Sequence, residues 1–267
     1  MHLNRWLTGI ISIPILVYMI GPGPRMAFYA LIYAVSIKGL AEFYSMTVPE
    51  LPKTIRFSIY FLILLLYISV SLNQVLIAPV IIAFFVFIPM TLFVLTHSES
   101  SREKTAEISK AVFGPLYVAL PLVMLIMIDH LPNGNIWIFF ILVVIFANDT
   151  GGFYFGRLLG RHKLHVSVSP NKTWEGAVGG TVSSLIAGFL FLYLMDFQKP
   201  GIIVMSLVLL ISISGQIGDL AESMLKRNCG IKDSGCILPG HGGILDRIDG
   251  LLFSIPVLYL YLFLFIR

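Results

Sequence analysis

Three aspartates near the end of the chain could bind a hard metal ion. Asp246 and Asp249 stand three residues apart in the run DRID (246–249), and Asp219 follows the apolar run LVLLISIS (207–214). Residues at i and i+3 share one face of a helix, so this pair beside Asp219 would form an all-oxygen site. Magnesium prefers such ligands, often with substrate phosphates completing its shell. The alternative is that the pair only caps a helix N-terminus, where the macrodipole favours carboxylates.

The segment GQIGDLAESMLKR (215–227) carries four polar residues at helical spacing, namely Asp219, Glu222, Ser223 and Lys226. Their spacing of i, i+3, i+4 and i+7 puts them on one helix face. A helix end emerging into water, with an internal salt bridge, is the simpler interpretation. Against it, only four residues separate Asp219 from the apolar run, and carboxylates at membrane depth are costly and usually functional. Asp149 also ends an apolar run, so we expect it at membrane depth too.

Two glycine-rich stretches could bring backbone close to a ligand. PGHGG (239–243) could form an anion-binding nest, or only a turn, and its His241 is poorly placed for a core. In SPNKTWEG (169–176), Thr173 is predicted to cap a helix. Gly176 and Gly180 predict close helix packing.

Two other sets of residues suggest little chemistry. His162 and His165 lack the further ligands that a zinc site needs. Cys229 and Cys236 are spaced as C-x6-C without a second pair, so we expect free thiols.

Composition indicates the elements that must position these residues. The chain is 57% hydrophobic and 12% charged, with a mean hydropathy of +0.91, whereas soluble domains carry about 25% charge. The apolar runs are long and do not alternate, which excludes an outer-membrane barrel and predicts an all-α polytopic membrane protein. The first run lacks a signal-peptidase site, so we expect it to be retained. The nine predicted spans are about 6–22, 26–47, 57–73, 75–96, 111–130, 135–156, 174–195, 201–224 and 250–266.

The basic residues predict the orientation. With nine spans, 14 of the 18 Lys and Arg residues lie on the side of the N-terminus, three on the other side, and Lys38 within a span. Cytoplasmic loops carry the Lys/Arg excess, so the N-terminus is predicted to be cytoplasmic. Such a face attracts anionic lipid and phosphate ligands; we expect no nucleic-acid partner.

The segment SMLKRNCGIKDSGCILPGHGGILDRID (223–249) closely resembles the signature of the phosphatidate cytidylyltransferases, or CDP-diacylglycerol synthases. The matching residues are Ser223, Lys226, Arg227, Lys232, Asp233, His241, Gly242, Gly243, Asp246, Arg247 and Asp249. SPNKTWEG is similar to a second family motif, with Asn171 in place of its first lysine. The resemblance is sharp over about 148–250. It suggests one membrane domain (1–267), with a helical scaffold part at 1–140 and a catalytic part at 141–267.

The resemblance implies CMP transfer from CTP to phosphatidate, with Mg²⁺ and room for a second metal ion, at the cytoplasmic face of the inner (plasma) membrane. It also allows a homodimer among membrane lipids. The implied metal ligands are Asp219 and Asp246, with Asp249 as a third ligand or a support of the ligands. Asp149 is a candidate ligand of a second metal ion, or a structural partner. The implied catalytic residues are Lys226, Arg227, Lys232, His241 and Arg247. The implied substrate-binding residues are Ser169, Lys172, Ser223, Gly242 and Gly243.

Three other classes of protein fit less well. A CTP-dependent polyprenol or phytol kinase would transfer a γ-phosphoryl group, and the HGGxxDRxD match disfavours it. CDP-alcohol phosphotransferases need an arginine that is missing after Asp249-Gly250. An ion-coupled transporter predicts acidic features in both halves of the chain. Here they cluster in one half, with Lys38 and Glu42 as exceptions. We interpret these two as a local ion pair, with a place in the lining of the same cavity as the alternative.

Overall fold

A computed structural model describes residues 13–96, 102–235 and 242–266, and it confirms the helical membrane architecture. Residues 13–20 are helical (α1). The further helices are α2 (Arg25–Thr47), α3 (Lys53–Ser71), α4 (Ala78–Thr96), α5 (Arg102–Asp129), α6 (Gly134–Leu159), α7 (Trp174–Met195), α8 (Ile202–Asn228) and α9 (Leu245–Phe265). A 3₁₀ turn at Val75–Ile77 precedes α4.

Within the described residues, eight helices are long and apolar enough to cross a membrane. They correspond to the second to ninth predicted spans. The first predicted span (6–22) lies partly outside the described residues. The predicted ends shift most at α5, which begins at Arg102 rather than near 111.

A short hairpin is the described departure from an all-helical chain. β1 (Lys163–His165) and β2 (Ser169–Thr173) pair antiparallel between α6 and α7. Its ladder gives backbone N–H and C=O groups of this long connection partners that a loop would leave to water.

The chain divides into two compact units. Unit 1 comprises residues 1–127 and 233–245, and unit 2 comprises residues 128–232 and 246–267. The segment 233–245 therefore belongs with the N-terminal helices, although α8 precedes it and most of α9 follows it in unit 2. The division into scaffold and catalytic parts at residue 140 stays a prediction.

Unit 1 has an apolar core in which a tyrosine compensates for a proline. Pro115 lies inside α5 and has no N–H to donate to the carbonyl of Ala111, four residues earlier. The hydroxyl of Tyr44, a fully buried residue, donates to that carbonyl at 2.7 Å. The α2–α5 contact thus gives this carbonyl a side-chain donor in place of the N–H that Pro115 lacks.

Unit 2 packs aromatic side chains around Trp137, a buried residue near the start of α6. Its ring lies 5.0 Å from that of Phe197 and 6.0 Å from that of Tyr261. Consecutive spans alternate in direction, so this aromatic cluster and the polar ends of the same helices lie at opposite ends of unit 2.

Candidate active site

The polar ends of unit 2 enclose a cavity of about 660 Å³. The last half of α6, strand β2, the start of α7 and the last part of α8 supply its walls. Its lining combines acidic, basic and amide side chains with glycine backbone: Asn148, Asp149, Gly152, Phe153, Gly156, Arg157, Leu164, Asn171, Lys172, Thr173, Gly176, Ala177, Gln216 and Asp219. The sequence singled out Asp149, Lys172 and Asp219 for chemistry, and the structure brings these three together.

Glycines let α6 and α7 approach closely beside this cavity. A Cβ atom on Gly176 would lie 2.8 Å from the carbonyl oxygen of Gly152, and one on Gly180 would lie 2.7 Å from that of Asn148. Distances this short do not occur for real Cβ atoms, so side chains here would force the helices apart. The predicted close packing at Gly176 and Gly180 is confirmed, and it leaves backbone as part of the cavity wall.

The start of α7 is fixed by two side chains. Thr173 is the N-cap, and its hydroxyl accepts a hydrogen bond from the Gly176 N–H at 3.1 Å, as predicted. Glu175 accepts backbone hydrogen bonds from Arg161 and His162 and pairs with His162 Nδ1 at 2.6 Å. Lys172 immediately precedes this cap, and its side chain lines the cavity.

Lys172 forms an ion pair with Asp219, and both side chains stay partly exposed. The Ser223 hydroxyl lies 3.5 Å from Asp219 Oδ1. Asp149 and Asp249 are close enough to repel Asp219 electrostatically. Three carboxylates on three helices thus face one region, with Lys172 as a counter-charge.

Lys226 forms a second, more enclosed ion cluster. Its Nζ lies 2.5 Å from Glu222 Oε2 and 2.6 Å from Asp246 Oδ1. Glu222 is fully buried, and Lys226 and Asp246 are nearly so. The structure therefore places the predicted metal ligand Asp246 on a lysine that was itself predicted to be catalytic.

A polar network connects α6, α7 and α8 at the wall of the cavity. Asn148 Oδ1 accepts hydrogen bonds from Ser212 at 2.8 Å and from Gln216 Nε2 at 2.9 Å. Gln216 also donates to the Ala177 carbonyl and to the Thr181 hydroxyl. These bonds satisfy polar groups at membrane depth and fix the three helices around Asp149.

The other residues of the signature are more dispersed. Arg227 donates to the carbonyls of Val168 and Ile231, whereas Lys232 is exposed and makes no hydrogen bond or ion pair with the described part of the chain. Ser169 lies in β2, outside the cavity lining. Arg247 is close enough to Asp149 to interact with it electrostatically.

The signature glycines, Gly242 and Gly243, directly follow residues 236–241, which lie outside the described residues. Gly242 adopts a left-handed backbone with φ of 77°, which suits glycine. Gly243 is buried in unit 1. His241 and Cys236 lie outside the described residues, and Cys229 is a free thiol.

Comparison with known proteins adds the family. The sequence model of the cytidylyltransferase family matches residues 3–265. This chain belongs to the cytidylyltransferase family. It is similar to the phosphatidate cytidylyltransferase of Bacillus subtilis, with 36% identity over 267 residues and 98% of each chain. It is also similar to the phosphatidate cytidylyltransferase of Staphylococcus haemolyticus, with 47% identity over 130 residues. That alignment spans 49% of this chain and 50% of the relative.

Three residues of this family member were missed as site residues. Arg157 lines the cavity and makes no ion pair with the described residues. Arg157 follows the sixth predicted span directly, but the sequence could not show that it lines the same cavity as Lys172. Glu222 shares a helix face with Asp219 and Lys226, and that spacing was the signal. Gln216 has no signal beyond its position beside the apolar run.

Proposed function

We propose that the chain transfers CMP from CTP to phosphatidate, giving CDP-diacylglycerol and pyrophosphate. A phosphate oxygen of phosphatidate forms a bond to the α-phosphorus of CTP, and the bond from that phosphorus to the pyrophosphate oxygen breaks. The observation that carries the proposal is the cavity in unit 2, which combines carboxylates, cations and glycine backbone among membrane-spanning helices. Such a cavity suits a reaction that brings two polyanions together.

The basic residues of the cavity serve as anion ligands. Arg157 is uncommitted within the described residues, and Lys172 is held only by a partly exposed carboxylate. Both can therefore neutralise phosphate oxygens without breaking a buried contact. Arginine offers a planar fork of donors and lysine a mobile point charge, a combination that binds a polyphosphate from two sides.

The acidic residues fit a divalent metal ion in their chemistry. Asp149, Asp219 and Asp249 supply only carboxylate oxygens, as magnesium requires, and their mutual repulsion favours a cation among them. In the described part of the chain, no three His, Cys, Asp or Glu side chains are already grouped as metal ligands. Bound Mg²⁺ would neutralise the triphosphate and stabilise charge at the α-phosphorus.

Asp246 has a different role in this proposal. Asp246 pairs with Lys226 and so supports the positions of the three carboxylates Asp149, Asp219 and Asp249. Metal ligation is its alternative role. The remaining signature residues, including Lys232, Arg247 and Ser223, are proposed to bind phosphate at the rim. A homodimer and a second metal ion stay predictions.

The reaction is tested with purified protein, phosphatidate and CTP labelled either in cytidine or in the γ-phosphate. We expect the cytidine label in the lipid and the γ label in pyrophosphate. A γ label in the lipid would instead indicate a kinase and contradict the proposal. Substituting the alcohol diacylglycerol for phosphatidate is the matched control, because a kinase accepts an alcohol.

The metal is tested by titrating Mg²⁺ in the same assay. Asp219→Asn is expected to lower activity by about 10² or more and to raise the Mg²⁺ concentration required. Asp196→Asn is the control. Asp196 is exposed and caps the C-terminal end of α7, whereas the cavity lies at the N-terminal end of that helix. If Asp219→Asn and Asp249→Asn both keep wild-type Mg²⁺ dependence, the metal assignment is wrong.

The proposed cytoplasmic orientation has its own test. Single cysteines replace the exposed residues Lys163 and Lys199 in a chain without Cys229 and Cys236. An impermeant maleimide added to intact cells should label position 199 and leave position 163 unlabelled. The reverse pattern would place the cavity on the outer face.

A further inference from the structure

Glu42 is a buried carboxylate outside the site described above. It lies in α2 of unit 1 and is only 4% exposed. Lys38, one turn earlier, makes no ion pair with it among the described residues, contrary to the sequence interpretation. A buried carboxylate must find compensation elsewhere, because an uncompensated buried charge is strongly unfavourable.

The compensation comes from the segment 233–245. Glu42 Oε2 accepts a hydrogen bond from the Leu245 N–H at 2.9 Å and one from the Ser234 hydroxyl at 3.3 Å. Leu245 is the first residue of α9, so this carboxylate satisfies one of the N–H groups that the first turn of a helix leaves without a partner. The positive end of the helix dipole adds to the attraction.

Glycines let both parts of the segment reach the carboxylate. A Cβ atom on Gly235 would lie 2.7 Å from Glu42 Oε1, and one on Gly243 would collide with Oε2 and with the Ser234 hydroxyl. The described residues on either side of the interval 236–241 therefore contact the same side chain. Oε1 has no hydrogen-bond partner among the described residues. The two hydrogen bonds to Oε2, from Ser234 and Leu245, therefore offset the burial of the carboxylate.

We infer that Glu42 is a positioning residue for the signature segment: it binds both flanks of 236–241 and fixes the residue at which α9 begins. Asp246, Arg247 and Asp249 follow Leu245 in the first turns of α9, so the start of the helix sets their places along the chain. A side chain of the N-terminal helices thereby acts on signature residues some 200 positions later, without touching substrate.

Amide hydrogen exchange of the full-length protein in detergent tests the contact without substrate. In Glu42→Gln, which keeps the shape and removes the charge, exchange in 233–245 should rise by about tenfold or more, because hydrogen bonds to charged groups are the stronger ones. Exchange in the rest of α2 and in α3 should stay at the wild-type rate. Ser234→Ala removes one donor and should give a smaller rise in the same segment.

Glu50→Gln is the matched control, since Glu50 is exposed in the same unit and undergoes the same change of charge. It should leave exchange and turnover unchanged. A uniform rise over unit 1 in Glu42→Gln would indicate a merely structural role, and no rise in 233–245 would contradict the contact. Either outcome overturns the inference.

The turnover assay supplies the functional half, and only this half rests on the proposed function. Per folded molecule, Glu42→Gln should lower kcat about tenfold with KM for CTP within about threefold, as expected when a reacting arrangement is disturbed and ground-state binding is kept. Unchanged kcat beside faster exchange would overturn the positioning role. An inactive wild-type protein would count against the proposed reaction, and the exchange result would still decide the contact.

Discussion

Two lysines of unit 2 are each paired with carboxylates, and they differ in exposure. In the Lys172–Asp219 pair the side chains are 28% and 39% exposed. In the second cluster Lys226 is 12% exposed, Glu222 is fully buried and Asp246 is 9% exposed. The first pair lines the cavity, whereas the second cluster joins α8 to α9 through the ion pair of Lys226 and Asp246.

The difference in exposure indicates a difference in role. A partly exposed pair is weakly held, since water screens it and hydrates both groups when it opens. A buried cluster cannot open without leaving charges unpaired in an apolar surrounding. Lys172 can therefore exchange a carboxylate for a substrate phosphate, while Lys226 holds two carboxylates that would otherwise repel each other.

The largest effect is expected for Lys226→Met. It leaves the fully buried Glu222 without its cation, and loss of one partner of a buried pair costs about 3–5 kcal/mol. We expect a marked fall in the unfolding temperature in detergent, followed by tryptophan fluorescence and size-exclusion chromatography. Adding Glu222→Gln should recover part of the loss, because it removes one unpaired charge. An unfolding temperature equal to that of the wild type would contradict the comparison.

The next effect is expected for Lys172→Met, on activity rather than stability. Removing a cation that stabilises a transferring phosphoryl group should lower kcat/KM by about 10²-fold. The unfolding free energy should change by less than about 1 kcal/mol, because the pair is partly exposed. Lys163→Met, in β1 and outside the cavity lining, is the matched control. Destabilisation as large as that of Lys226→Met would erase the distinction between the two pairs.

The sequence predicted the helices well and the partners of their charges poorly. Hydropathy and the requirement for internal backbone hydrogen bonds determine where spans lie, so most predicted bounds differ by a few residues. The cap at Thr173 is equally local and is confirmed. In contrast, Lys172 pairs with a carboxylate 47 residues away on another helix. That choice depends on the rotation and packing of α7 and α8, which no local pattern encodes.

The same limit explains Glu42. Its spacing from Lys38 predicts an ion pair on one helix, yet its partners are Ser234 and the N–H of Leu245, about 200 residues later. Helix rotation toward a buried neighbour outweighs an exposed i, i+4 pair, which contributes only about 0.3–0.5 kcal/mol. The metal assignments of Asp219 and Asp246 stay predictions. The pattern of carboxylates indicates that a metal ion can bind, but it does not indicate which oxygens coordinate the ion.

A smaller effect is expected for Thr173→Ala, which disturbs the position of Lys172 and leaves its charge unchanged. Loss of an N-cap costs about 1 kcal/mol and frays the first turn of α7. Activity should fall only a few-fold, because Lys172 keeps its charge. Thr173→Ser, which retains the hydroxyl, should behave as the wild type in chemical denaturation and turnover. If Thr173→Ala matched Lys172→Met in activity, the position of the lysine rather than its charge would be decisive.

The smallest effect is expected for Ser212→Ala, below the exposed pair. Ser212 donates to Asn148 Oδ1, which also accepts from Gln216, so the acceptor stays satisfied when the hydroxyl is removed. Hydrogen bonds between membrane helices average about 0.6 kcal/mol, and we expect a loss of that size in denaturation. Ser206→Ala is the control, because this exposed serine of α8 hydrogen-bonds within its own helix and, among the described residues, with no other element. A loss comparable to that of Lys226→Met would mean that the network, rather than the buried ion cluster, holds α8 in unit 2.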